Sequence, residues 1–307
     1  MNNKISVLGA LLVAQVTLAV AIFVMPVAED GPSSQLLTFS AANIDRVTVS
    51  DGSNNVELIN AQENWQVAGV PADGEKVINI IDKLATIDAP WPVSTSSGSM
   101  ARFEVTEEDY QRQVRLYADG SEVAAIYLGT SPGYQRVHAR RGDSNEVYSV
   151  ALSNYEIGTE IDDWLDKTVL AMTVAPTSIE LRLLDAEGVE ERAEVFEFLE
   201  GGWLHNGAAA EQEGAINYAN RFSNLRVLGL ADMPIDSDQS FDEWAKLVAS
   251  NENEQRHLVI VRQGEDDYSV MEEGGEFRYR LAAYTAEQLL MKGANFPQQK
   301  LPTDNNQ

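Results

Sequence analysis

Gly129-Thr-Ser131-Pro-Gly133 has the spacing of the Gly-x-Ser-x-Gly nucleophile elbow, in which a sharp turn after a strand presents a serine hydroxyl for acyl transfer. A strand-like stretch precedes it, as the elbow requires. A helix should follow, but Tyr134-Gln-Arg-Val-His-Ala-Arg140 alternates as a strand does, so Ser131 reads better as a hairpin-turn residue. His138, His205 and His257 are the three histidines from which a hydrolase built on Ser131 would draw its base. The alternation puts His138 on the solvent-facing phase of its strand. The other two fall near strand starts, the setting of ordinary surface histidines.

Carboxylates are plentiful: Glu107-Glu-Asp109, Asp162-Asp163 with Asp166, Asp236 with Asp238, and Asp266-Asp267. Calcium needs oxygens converging from one tight loop. The nearest such loop, Asp236-Ser-Asp-Gln-Ser240, has Phe241 where an EF-hand turn needs glycine. Asp162 and Asp166 would share one face of a helix, and Asp163 and Lys167 make an equally spaced pair of opposite charge. Solvated carboxylates are the simpler reading, and no metal or other cofactor is called for. Neither a Gly-x-x-x-x-Gly-Lys phosphate loop nor a Gly-x-Gly-x-x-Gly turn occurs, so this chain is not itself an ATP-hydrolysing subunit.

The basic residues are patterned. Arg136, His138 and Arg140 alternate along one strand and project from one face, with Arg141 adjacent, and Arg278 and Arg280 occupy a similar strand further on. Such a stripe suits a partner's acidic loop or an anionic lipid or glycan, while pairing with the protein's own carboxylates is the commoner use of such residues.

These residues sit in a chain of 307 with 48 acidic and 22 basic side chains, a formal net charge of −26, and no cysteine. Thiolate metal sites, disulfides and cysteine nucleophiles are excluded. So negative a surface is repelled by nucleic acid, and no nucleic-acid partner is expected. From Ile5 to Met25 the chain is almost wholly apolar, long enough for a helix to cross a bilayer. Lys4 precedes this run and Glu29 and Asp30 follow it, which orients the amino terminus to the cytoplasm. A cleaved signal peptide competes, but the run exceeds the usual ~7–15-residue core and Pro26 stands where a small residue is wanted. The expectation is a single-pass inner-membrane protein, anchored by residues 1–25 with a linker over 26–40 and the bulk of the chain periplasmic. Ser6, Ala10 and Ala14 recur every fourth residue, a strip that lets another membrane helix approach, with Gln15 beside it to hydrogen-bond across.

The exported part repeats one design. Trp65 closes a strand-like stretch and precedes a helical pattern of Val77, Ile80, Ile81, Leu84 and Ile87; Trp203 precedes one carrying Ile216, Ala219, Phe222 and Leu225. The tryptophans are 138 residues apart, as are Phe103 and Phe241. Strand candidates flank each helix: Val47 to Val49, Val56 to Ile59, Val114 to Tyr117, Val123 to Leu128, Arg136 to Arg140 and Val147 to Val150 in the first copy. The second offers Ile179 to Leu183, Val195 to Phe198, Leu258 to Val261, Tyr268 to Val270 and Phe277 to Arg280. Helices are expected around Ile157 to Leu165 and from Thr285 to Met291. The fold class is α+β, as two tandem duplicated lobes with mainly antiparallel sheets over 41–170 and 171–297, and a disordered tail over 298–307.

The export anchor, the stretch Trp65-Gln-Val-Ala-Gly-Val-Pro-Ala-Asp73, and the pieces Leu128-Gly129, Val147-Tyr148 and Trp164-Leu-Asp-Lys167 resemble the bacterial family catalogued as domain of unknown function 4340. The likeness runs from about Ile44 to Phe296, and the second copy departs from it in lacking the Pro-Ala-Asp step. The resemblance implies a non-enzymatic periplasmic accessory subunit working with the permease and ATPase of an ABC-2-type or gliding-motility-type transporter, and supplies no functional residue. An anchored glycan- or lipid-binding module is the alternative, and a Ser131 hydrolase the third.

Overall fold

The computed structural model describes residues 15, 35–89, 91–231 and 243–292. Among these residues the chain forms two nine-stranded sheets in which every pairing is antiparallel. The first contains β1 (Arg46–Ser50), β2 (Asn55–Ala61), β3 (Asn64–Val67), β4 (Val70–Pro71), β5 (Pro92–Ser94), β6 (Arg112–Ala118), β7 (Ser121–Leu128), β8 (Val137–Arg141) and β9 (Val147–Val150). The second contains β10 (Ser178–Leu184), β11 (Glu190–Leu199), β12 (Gly202–His205), β13 (Ala208–Ala209), β14 (Gly229–Leu230), β15 (Glu243–Ser250), β16 (Gln255–Arg262), β17 (Tyr268–Glu272) and β18 (Tyr279–Leu281). Five helices accompany them: α1 (Gly74–Ala85), α2 (Ser97–Arg102), α3 (Ile161–Trp164), α4 (Gln212–Ser223) and α5 (Ala283–Leu289). The architecture is mixed α+β in two lobes.

The duplication is visible in the topology. The first sheet runs β4-β3-β2-β1-β6-β7-β8-β9-β5 and the second β13-β12-β11-β10-β15-β16-β17-β18-β14, the same path taken twice. In the middle of each copy the 138-residue offset holds residue by residue. Ala72 N–H donates to the Trp65 carbonyl and Ala210 N–H to the Trp203 carbonyl, both at 2.9 Å. The carboxylates of Asp73 and Glu211 then cap helices of 12 residues each, accepting backbone N–H groups of the first turn. Glu211 thus does the capping that the missing Pro-Ala-Asp step does in the first copy. The buried face of α1 is Val77, Ile80, Ile81 and Leu84, and that of α4 is Ala215, Tyr218, Ala219 and Phe222. Two medium side chains become alanines where their neighbours become aromatic, so the helix–sheet space is filled to a similar volume. Ile216, read above as part of that apolar face, instead points outward, as Ile78 does in α1. Phe241, which stands 138 residues after Phe103, lies outside the described residues, as does the Asp236–Ser240 loop.

Each sheet lays one face on its helix, and the alternation of β1 (Val47, Val49) and β10 (Ile179, Leu181) supplies the inward side chains. The first sheet's other face is not left to solvent. Helix α2 and the turn after it fold over β6 to β9, burying Phe103 and Val105 against Tyr127 and Val147.

Residues 151–177 join the lobes. The expected helix from Ile157 to Leu165 shrinks to the single turn of α3, because a capping box of Glu160 and Asp163 starts it late and extended backbone at Leu165 ends it. Trp164 is fully buried and donates its indole N–H to the Gly158 carbonyl. Its own carbonyl receives Asp73 N–H at 2.7 Å, Leu165 bridges Ala72, and Asp166 N–H reaches the Pro71 carbonyl, so the segment covers the open edge of β4. Asp51 ties the same segment to the β1–β2 turn by accepting from Asn54 N–H, Ser53 N–H and the Thr159 hydroxyl.

Replacing Trp164 by Ala is expected to cost about 3–5 kcal/mol in urea unfolding, the range for a fully buried large aromatic. The Asp51 carboxyl is held at about 2 rather than 3.8, first by the Asn54 N–H and then by Ser53 and Thr159 against the opposing effect of burial. The folded state therefore binds this proton more weakly than the unfolded one, and the stability it lends is complete above pH 3.8 and fades as pH falls toward 2. Asp51→Asn is expected to flatten acid unfolding across that window, followed by circular dichroism.

Candidate functional site

The residues of the basic stripe are placed individually, and most are occupied. Arg140 is 4% exposed and lies under the flap of α2, donating from Nε to the Val105 carbonyl and from Nη1 to the carbonyls of Arg141 and Ser144. Its guanidinium stacks over Tyr127 at 4.4 Å. The face of this strand that alternation assigned to solvent is instead the one the Phe103–Val105 turn covers. His138 shares it, with its ring 4.3 Å from that of Phe103 and Nδ1 2.9 Å from the Thr130 hydroxyl. Burial lowers its pKa, a Thr130 hydrogen bond opposes this, and Arg102 adds to it. Arg136 precedes the strand and is exposed, yet its guanidinium holds the Ser149 hydroxyl and carbonyl on β9.

Ser131 sits in the β7–β8 connection, and its hydroxyl lies 2.8 Å from the Gly133 carbonyl and 2.7 Å from that of Arg136. A strand follows it, as the alternation indicated, and the histidine nearest in sequence is engaged by Thr130. The cradle has the geometry of a hairpin turn closed by its own serine.

In the second lobe Arg278 is buried and Arg280 points outward from β18 between buried Tyr279 and Leu281. Arg280 reaches across to the joining segment and pairs with Asp162 of α3. The other oxygen of Asp162 accepts Leu230 N–H at 2.9 Å. Lys167 donates its ammonium to the Leu228 carbonyl at 2.6 Å, while its own carbonyl accepts Val227 N–H. Burial pushes the Lys167 pKa down, with Asp162 opposing and Arg280 reinforcing. The helical pairings expected of Asp162 with Asp166 and Asp163 with Lys167 do not form, because α3 ends at Trp164. A Cβ at Gly229 would lie 2.1 Å from the Asp162 carboxylate, so the contact also requires glycine there.

A cluster that sequence spacing did not suggest lies on β11 and β12. Glu194 accepts from Arg192 Nε, His205 Nε2 and Asn206 Nδ2 at 2.5, 2.6 and 2.8 Å, and the His205 ring stacks on Phe196 with planes 4° apart. Burial raises the Glu194 pKa, and the three hydrogen bonds outweigh it and leave the carboxyl below its ordinary value. His205 is thereby partly buried and paired, unlike the surface histidine expected, whereas His257 remains at the surface, 3.8 Å from Glu273. The one sequence signal for it, the alternation of Arg192 and Glu194 on one face with His205 across the turn, was not used in the reading above. Among the described residues no three His, Asp or Glu side chains converge as a metal site. A recess of about 540 Å³ on the outer side of β6 to β8 is lined by Arg115, Glu122, Arg141 and Asp143, which pair with one another.

Of the candidate membrane-helix contacts, Ser6, Ala10 and Ala14 lie outside the described residues, and Gln15 is helical and exposed. Among the described residues no helix is long and apolar enough to cross a membrane.

Asp162→Ala is expected to destabilise the protein by about 1–3 kcal/mol, because it strips the acceptor from a partly buried N–H. Arg280→Ala, which removes a half-exposed partner, should cost only ~0–1 kcal/mol. Urea unfolding of the two variants checks the order.

Comparison with curated proteins and with solved structures finds no significant match. A family model described as domain of unknown function (DUF4340) matches residues 65–247, from the first tryptophan into the central strand of the second sheet. That match spans more than half of the chain and crosses both lobes and their junction, and the protein is a member of the DUF4340 family.

Proposed function

We propose that the protein is a non-enzymatic accessory subunit of an ABC-type export or envelope system, held in the inner membrane by residues 1–25 and acting in the periplasm by protein contact. The observation that supports this best is how the polar groups are used. Ser131 closes its own turn, His138 is engaged by Thr130, Arg140 is buried on carbonyls, and Arg280 and Lys167 join the lobes. Side chains that could have formed a reacting centre instead fix one two-lobed shape, as a subunit working by surface complementarity requires. In the membrane, Ser6, Ala10, Ala14 and Gln15 would meet the permease helices. The setting beside ABC-2-type and gliding-motility-type transporters comes from the family resemblance.

A tagged full-length chain extracted in mild detergent is expected to retrieve a multispanning permease and its ATPase. Ala10→Leu with Ala14→Leu should abolish retrieval while leaving the chain in the membrane. Retrieval of no transporter subunit would overturn the reading.

A further inference from the structure

Three exposed aromatic side chains gather at one end of the first sheet. Trp91 precedes β5 and is 70% exposed, Tyr134 lies in the β7–β8 connection at 89%, and Tyr155 follows β9 at 98%. The pairings place these connections together: β5 starts opposite the end of β9, and β8 starts beside it, with Arg136 reaching Ser149. The chain also enters the lobe here, since Gln35 bridges Asp88 and Leu36 N–H donates to the Ile87 carbonyl at 2.8 Å.

The entry point fixes what this end can meet. Nine residues, Pro26 to Ser34, separate it from the apolar run ending at Met25. Fully extended at ~3.3–3.6 Å each, they span at most about 32 Å. The charge pattern agrees. In a chain of 48 acidic residues, the stretches 31–44, 89–103 and 129–142 contain none, and they supply the entry segment, Trp91 and Tyr134. Asp88 and Glu156 lie beside them, and Glu156 is paired with Lys83. The second lobe is an internal control. Its β16–β17 connection, the counterpart of the one bearing Tyr134, carries Glu265, Asp266 and Asp267, and Gly229 stands 138 residues after Trp91; only Tyr155 has an aromatic counterpart, Tyr284.

Resting on the anchored reading above, we infer that this end of the first lobe lies on the lipid–water interface of the anchoring membrane, with Trp91, Tyr134 and Tyr155 at headgroup level. Tryptophan and tyrosine favour that level because an apolar ring and a polar edge are both accommodated there. The second lobe, with its acidic connections, is held away from the anionic surface.

The cysteine-free chain allows single-site labelling of the full-length protein. Tyr134→Cys, Tyr155→Cys and Asp266→Cys variants would each carry an environment-sensitive fluorophore. They would be placed in nanodiscs of phosphatidylethanolamine with a minor share of phosphatidylglycerol and a nitroxide lipid labelled at the headgroup. Loss of fluorescence at positions 134 and 155, with none at 266, is expected. Equal fluorescence at all three in a chain that stays membrane-bound through alkaline extraction overturns this inference alone. Release by alkaline extraction overturns the anchored reading and this inference with it.

Discussion

The short segment around α3 is the constraint on which the two-lobed shape depends. It is bound on both sides at once. Toward the first lobe it buries Trp164 and lends backbone groups to the edge of β4, and toward the second it presents Asp162 and Lys167 to the edge of β14. An uncovered sheet edge is an invitation to pair with foreign chains, and one segment here closes an edge in each lobe. Because the Trp164 side chain is fully buried, the segment is positioned by packing, and the ion pair with Arg280 sets orientation more than it adds stability.

The two copies are alike where they build a core and differ where they meet something else. From Trp65 to Thr86 the elements recur at a constant spacing, down to the capping carboxylate and the four buried helix positions. They part at the edge strands. Leu230 of β14 and Pro92 of β5 each face a tyrosine of the neighbouring strand, Tyr279 and Tyr148. Before them stand Gly229, with no space for a side chain beside Asp162, and Trp91, which is exposed. The same edge receives the sister lobe in one copy and is turned outward in the other, and proline in β5 denies it a donor for strand pairing.

Much of this architecture was legible because the signals were local. Helix periodicity located α1 and α4, alternation located most strands, and the repeated tryptophan exposed the duplication. Strand β15 escaped, since Glu-Trp-Ala-Lys-Leu-Val-Ala-Ser is rich in helix formers and alanines carry its inward phase. The fates of Arg140 and His138 escaped for a different reason. Alternation says which residues share a face, and not whether a later turn of chain, here Phe103 to Val105, folds over it.

Sequence alone determined the negative charge, the absence of cysteine, the apolar run from Ile5 to Met25, the duplicated α+β design and the family resemblance, because each is a property of composition or of short-range pattern. Tertiary structure decided which polar groups are occupied. Asp162 finds Arg280 from 118 positions away, Thr159 finds Asp51 from 108, and Glu194 collects its partners across a strand turn. Such pairings depend on where sheets and joining segments come to rest, and no spacing along the chain encodes that distance.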